Sequence, residues 1–167
     1  GELRPMWSKD PLEVYKRIDV LLDEVKAYAG SDLIVAGEGK GRPTGGHIHI
    51  SGVGSSMSSD LILAMDRFIY RPLEARCSGI RKNSSYNHPS MQRSQPHGVE
   101  YRSAPSWLSH PILTKGALVL AAILCRNHLA LPSSEEEIAD KAHNAEERSA
   151  VEGFYAFLAS LERQGKM

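Results

Sequence analysis

The stretch Gly98-Val99-Glu100-Tyr101-Arg102-Ser103 decides how this chain reads. Glu100 and Arg102 are two residues apart, and in a strand residues i and i+2 share one face. Val99 and Tyr101 then turn to the other. The same design occurs twice upstream, in His47-Ile48-His49-Ile50 and in Glu2-Leu3-Arg4. If the three segments lie in one sheet, Glu2, Arg4, His47, His49, Glu100 and Arg102 occupy one surface. Leu3, Ile48, Ile50, Val99 and Tyr101 face packed helices. The expectation is an antiparallel sheet with one dry side and one working side.

The residue types on the working side fit one kind of chemistry. Carboxylates and imidazoles bind divalent metals. Arginines grip phosphate or carboxylate oxygens through a planar, always-charged fork. All three together suit a metal–phosphate substrate held beside a carboxylate substrate, where arginines neutralise charge as it develops in phosphoryl transfer. A simple zinc hydrolase would not need two arginines among its ligands. Taken singly, Glu100 with Arg102 and Glu2 with Arg4 read as cross-strand ion pairs, and an isolated H-x-H is more often structural than metal-binding. Their recurrence at one period argues for a shared site, and Gly45-Gly46 before His47 permits close approach of backbone or ligand. Other H-x-H enzymes fit less well. His49 is followed by Ile-Ser-Gly-Val-Gly, without the nearby aspartate and histidine of metallo-β-lactamase-like sites. Amidohydrolase barrels need far more chain. No glutamate appears before Glu74 to complete a cupin-type site.

The 167 residues suit one domain. Twenty basic and twenty acidic side chains cancel, which argues against nucleic acid held by bulk charge. No apolar run is long enough to span a bilayer; the longest, Ala117 to Cys125, reads as a buried helix. Cys77 and Cys125 lack C-x-x-C spacing and read as reduced thiols of a cytoplasmic protein. Asp10-Pro11 starts an amphipathic helix that Gly30 ends. Leu33 to Ala36 is a short strand candidate, and Gly37 to Gly46 a loop or hairpin connection. Ser58 or Ser59 caps a second helix over 60–70, ended by Pro72. Residues 78–97 read as a long irregular segment in which Arg81, Lys82 and Arg93 are solvated charges when taken singly. A strongly apolar helix covers 111–129 and is broken by Pro132. A short acidic helix capped by Ser133 or Ser134 follows, then an amphipathic one over 145–163.

The strings Gly45-Gly46-His47-Ile48-His49-Ile50, Gly98-Val99-Glu100-Tyr101-Arg102-Ser103 with Pro105-Ser106-Trp107-Leu108, and Glu2-Leu3-Arg4-Pro5 together resemble the phage-type COOH–NH2 ligases. Those are relatives of glutamine synthetase and glutamate–cysteine ligase. The resemblance covers residues 1–129. It implies an α+β domain of glutamine-synthetase type: a curved antiparallel sheet with helices on its convex face and an active surface on the concave one. It implies a ligase in which ATP phosphorylates a carboxylate and an amine displaces the phosphate, with Mg²⁺ or Mn²⁺ as cofactor. The partners would be small amino-acid or peptide carboxylates and amines. By similarity His47, His49, Glu100 and Glu2 are metal ligands, and His49, Arg81 and Arg93 contact ATP phosphates. Arg102, Glu2 and Arg4 serve catalysis. Two rival readings keep the fold or the ligands: a degenerate nucleotide- or metal-binding module, and a metal-dependent hydrolase using His47, His49 and Glu100. The expected division is a catalytic core over 1–131 and a helical extension over 132–167. Relatives carry an earlier acidic strand, so the core is expected to lack an upstream segment, to be weak as a ligase alone, and to complement such a segment or self-associate along an open strand edge.

Overall fold

A computed structural model describes residues 5–30, 44–75 and 88–163, and the backbone alone of 38–39 and 42–43. Glu2, Arg4 and Arg81, together with the strand candidate over 33–36, lie outside the described residues. Helix α1 spans Pro11–Ala29, and the Asp10 carboxylate accepts the Leu12 N–H at 2.9 Å. Proline at the first helical position has no N–H to orphan, so the start matches its sequence signature. A two-residue hairpin, β1 (Glu38–Gly39) and β2 (Arg42–Pro43), occupies the glycine-rich connection.

Helix α2 begins as Ser59–Met65, widens into a π-helical turn at Asp66–Tyr70, and resumes over Arg71–Glu74. The Ser58 hydroxyl caps it by accepting the Leu61 N–H. The expected stop at Pro72 is therefore corrected: the helix passes through the proline. Pro72 removes the N–H that the Phe68 carbonyl would accept four residues upstream. The Arg71 N–H reaches back five residues to the Asp66 carbonyl, and the Tyr155 hydroxyl donates to the Phe68 carbonyl at 3.1 Å. A tertiary contact supplies the bond that local sequence takes away.

Strand β3 is Ile48–Ser51, β4 is Gln92–Gln95 and β5 is Gly98–Tyr101. They form an antiparallel sheet in the order β3–β5–β4. Here the irregular reading of residues 78–97 is corrected at its end, because β4 is a regular strand hairpinned to β5 through Pro96-His97. Gln92, Arg93, Ser94 and Gln95 are polar throughout, so no apolar alternation marks them. Pairing with β5 supplies the strand conformation instead. Gly98 opens β5 at φ 151°, and a Cβ there would lie 2.1 Å from the Ile50 carbonyl oxygen. Only glycine lets β5 approach β3 at this point.

Ile48, Ile50, Val99 and Tyr101 are buried in a core shared with all the long helices. Helix α3 (Pro111–Arg126) crosses the middle of that core with ten buried residues. Helices α4 (Glu135–Asp140) and α5 (Ala145–Arg163) follow. Ile138, Val151, Phe154 and Leu158 join the same cluster. A Cβ on Gly116 would lie 2.5 Å from the Phe154 Cβ, so glycine sets how closely α3 and α5 approach. Glu147, 2 % exposed, accepts two bonds from the Arg126 guanidinium at 2.9 and 2.7 Å and the His143 N–H at 2.8 Å. A buried carboxylate needs such full pairing to offset its desolvation.

Candidate active site on the polar face of the sheet

Register places the charged residues in rows. His49 pairs with Glu100, and Glu100 pairs with Arg93 on its other side. Directly paired residues point to the same face of a sheet. His47 precedes His49 by two and Arg102 follows Glu100 by two, so they share that face. The backbone beyond the strand ends is held as well. The Gly46 N–H donates to the Ala104 carbonyl at 2.9 Å, and the Trp107 indole N–H donates to the Gly46 carbonyl at 2.9 Å. A Cβ on Gly46 would lie 2.3 Å from the Trp107 ring, so the glycine admits the indole that fixes the backbone before His47.

Glu100 is the centre of the arrangement and is 1 % exposed. Its Oε2 accepts from Arg93 Nε at 2.7 Å and Gln95 Nε2 at 2.9 Å, and Arg93 Nη2 lies 2.5 Å away. Its Oε1 lies 2.8 Å from His47 Nδ1 and 3.7 Å from Arg102 Nε. Burial by itself pushes a carboxyl pKa up. Hydrogen bonds from Gln95 and Arg93, with the charges of His47 and Arg93, outweigh that effect and hold Glu100 below its usual range. Arg102 Nε is buried and, among the described residues, makes no hydrogen bond. Buried donors are nearly always satisfied, so this one is set to receive an acceptor beyond the described residues.

His49 is exposed on β3 and stacks on His97 of the β4–β5 turn, ring centroids 5.9 Å apart at 21°. Beside this pair lies a cleft of about 340 Å³ lined by Gly52, Gly54, Ser55, Gln95, Pro96 and His97. Gln95 belongs both to the cleft and to the Glu100 cluster. A slightly larger cleft of about 370 Å³, between Pro5-Met6 and helix α1, shares no described residue with the polar face.

The structure thus brings together His47, Glu100, Arg93 and Arg102, with His49 on the same face. Arg93 is strand-held rather than a solvated loop charge, because Glu100 stands opposite it. Gln95 is a member of the cluster that the sequence did not reveal. Its one signal is the two-residue spacing from Arg93, hidden because the neighbouring residues are polar too. Among the described residues no group of three or more His, Cys, Asp or Glu side chains converges.

The charged face and its motifs define a class, and comparison with known proteins names it. The family model described as Phage phiEco32-like COOH.NH2 ligase-type 2 matches residues 1–164, and the chain belongs to that family. The match includes helices α4 and α5, beyond the reach of the motifs. No curated protein and no solved structure matches the chain. Membership makes this a carboxylate–amine ligase-type protein, whose substrates are a carboxylate and an amine. No helix of the described residues is long and apolar enough to cross a membrane.

Proposed function

We propose that the polar face of the β3–β5–β4 sheet binds ATP with a divalent cation, Mg²⁺ or Mn²⁺, and activates a small carboxylate for attack by an amine. The observation that carries this reading is the buried, unsatisfied Arg102 Nε beside a carboxylate already paired with Arg93 and His47. Two guanidinium groups against one carboxylate leave an excess of positive charge, which favours an anionic ligand. The donor set fits a shared cation site. His47 and Glu100 are in contact, and Mg²⁺ is commonly held by one or two carboxylates with the rest supplied by phosphate and water. An imidazole donor suits Mn²⁺ better than Mg²⁺. When bound, the cation would neutralise charge on the phosphate oxygens.

On this reading Arg102 orients the transferring phosphoryl group or the substrate carboxylate, and Arg93 holds Glu100 while facing the phosphates. His49, exposed at the cleft, contacts phosphate. The substrate carboxylate oxygen attacks the γ-phosphorus, ADP leaves, and an acyl phosphate results. The amine then attacks the acyl carbon, phosphate departs, and the amine loses a proton. The same reading takes the three strands as part of a glutamine-synthetase-like curved sheet with helices against its convex side.

The test is binding of MgATP. A ligand that binds only the folded state at a hundredfold excess over its dissociation constant stabilises by about 2.7 kcal/mol. The expected result is a rise in melting temperature that is larger with metal and ATP together than with either alone. Absence of both a thermal shift and calorimetric heat at saturating MgATP refutes the reading.

A further inference from the structure

We propose that Asp66, on the helix beneath the sheet, is a positioning residue that sets the Arg93 guanidinium against Glu100. Asp66 is 3 % exposed and begins the π-helical turn of α2. Its Oδ1 accepts the Tyr101 hydroxyl at 2.8 Å. Its Oδ2 accepts the Ser90 N–H at 2.5 Å and the Ser90 hydroxyl at 3.0 Å. Three donors converge on one carboxylate, from the neighbourhoods of two different strands. Tyr101 sits between Glu100 and Arg102 on β5. Ser90 stands three residues before Arg93, at the entry to β4.

The start of β4 needs holding. Ser90 has φ 61°, the left-handed region that a side-chain-bearing residue leaves unless something fixes it. Asp66 is what fixes it. The next residue continues the lock: the Met91 N–H donates to the Ser103 hydroxyl at 3.0 Å, and the Met91 carbonyl accepts the Arg102 N–H at 2.9 Å. β4 is otherwise an exposed edge strand of polar residues with no apolar side chain to anchor its register. Such strands are weakly specified. Gln92 accepts the Met57 N–H at 2.8 Å and Ser94 donates to the Ser55 carbonyl at 2.7 Å along the strand, while one buried carboxylate on the helical side holds the entry to the strand that presents Arg93 on the polar side. The link to catalysis rests on the function proposed above; the positioning itself does not.

The experiment reads the arginine directly. Arg93 Nε–H exchange with solvent is followed by NMR in the wild type and in Ser90→Gly, Ser90→Val and Asp66→Asn. Ser90 is exposed, and both of its variants lose the same hydroxyl bond to Asp66, so they differ in backbone tolerance and in the valine side chain. Glycine accepts the left-handed backbone and keeps the N–H bonded to Asp66; valine does not tolerate it. Ser90→Gly is expected to match the wild type within about twofold. Ser90→Val and Asp66→Asn are expected to speed Arg93 Nε–H exchange about tenfold or more. Should Asp66→Asn fail to fold, the two Ser90 variants decide. Identical Arg93 Nε–H exchange in Ser90→Val and Ser90→Gly would overturn the proposal. The readout needs no nucleotide, so the role of Asp66 is tested even in a chain that does not bind MgATP.

Discussion

Arg93 and Glu100 stand opposite each other on antiparallel strands, with Arg93 Nε and Nη2 2.7 and 2.5 Å from the same carboxylate oxygen. The second oxygen faces His47 and Arg102. Glu100 is thus the hub through which the β4–β5 hairpin meets the segment around His47, some fifty residues upstream. Removing its charge should cost both stability and ligand binding. Glu100→Gln leaves cationic neighbours around a neutral amide and is expected to destabilise by about 1–3 kcal/mol in chemical denaturation. It should also abolish any metal-dependent thermal shift. A variant as stable as wild type that still responds to metal would contradict this role.

The same residue gives a pH signature. The folded-state pKa of Glu100 lies below its ordinary value of 4.5. Unfolding then takes up protons in the acid range, so this stabilisation is fully present above about pH 4.5 and is lost as pH falls through the folded-state value. The wild type should lose stability on acidification more steeply than Glu100→Gln. Parallel stability curves for the two proteins between neutral pH and the acid limb would show that Glu100 carries no such coupling.

Arg102 separates binding from folding. Its Nε makes no hydrogen bond among the described residues, so Arg102→Lys forfeits little folded-state energy; a melting temperature close to wild type is expected. Lysine cannot reproduce the planar fork, and a drop of about tenfold or more in MgATP affinity is expected. Calorimetry on Arg102→Lys and wild type checks this. Unchanged affinity would remove Arg102 from the site.

Gly46 tests the frame behind His47. A methyl at this position would lie 2.3 Å from the Trp107 ring and 2.5 Å from the Pro105 carbonyl oxygen. Gly46→Ala should displace the indole, break its bond to the Gly46 carbonyl and destabilise by about 2–4 kcal/mol. Tryptophan emission should shift to the red. Trp7 is 79 % exposed and contributes a constant background. Emission identical to wild type would mean the indole has room that the geometry denies it.

Glu147 provides the contrast of a buried carboxylate outside the site. Glu147→Gln breaks its two-point pairing with Arg126 and should cost about 2–4 kcal/mol. Any MgATP thermal shift should keep its size in this variant. A selective loss of that shift would tie α5 to the polar face.

Much of this protein is legible in its sequence. Period-two spacing places His47 with His49 and Glu100 with Arg102, because strand geometry leaves i and i+2 no other choice, and the register of His49 opposite Glu100 then puts both pairs on one face. Asp10-Pro11 and Ser58 mark helix starts by local capping chemistry, and α5 follows from its apolar spacing. These are short-range effects, written in neighbouring residues. Three features are not. β4 is a strand only because β5 offers it a ladder of backbone partners, and its own residues carry no apolar alternation. Helix α2 passes Pro72 with the Tyr155 hydroxyl, 87 residues away from Phe68, bonded to the carbonyl that proline leaves open. Arg93 becomes a partner of Glu100 only once register sets them opposite. In each case the deciding bond joins two different elements, across the β4–β5 turn for Arg93 and Glu100 and over 87 residues for Phe68 and Tyr155, and a pattern read along one element does not carry it.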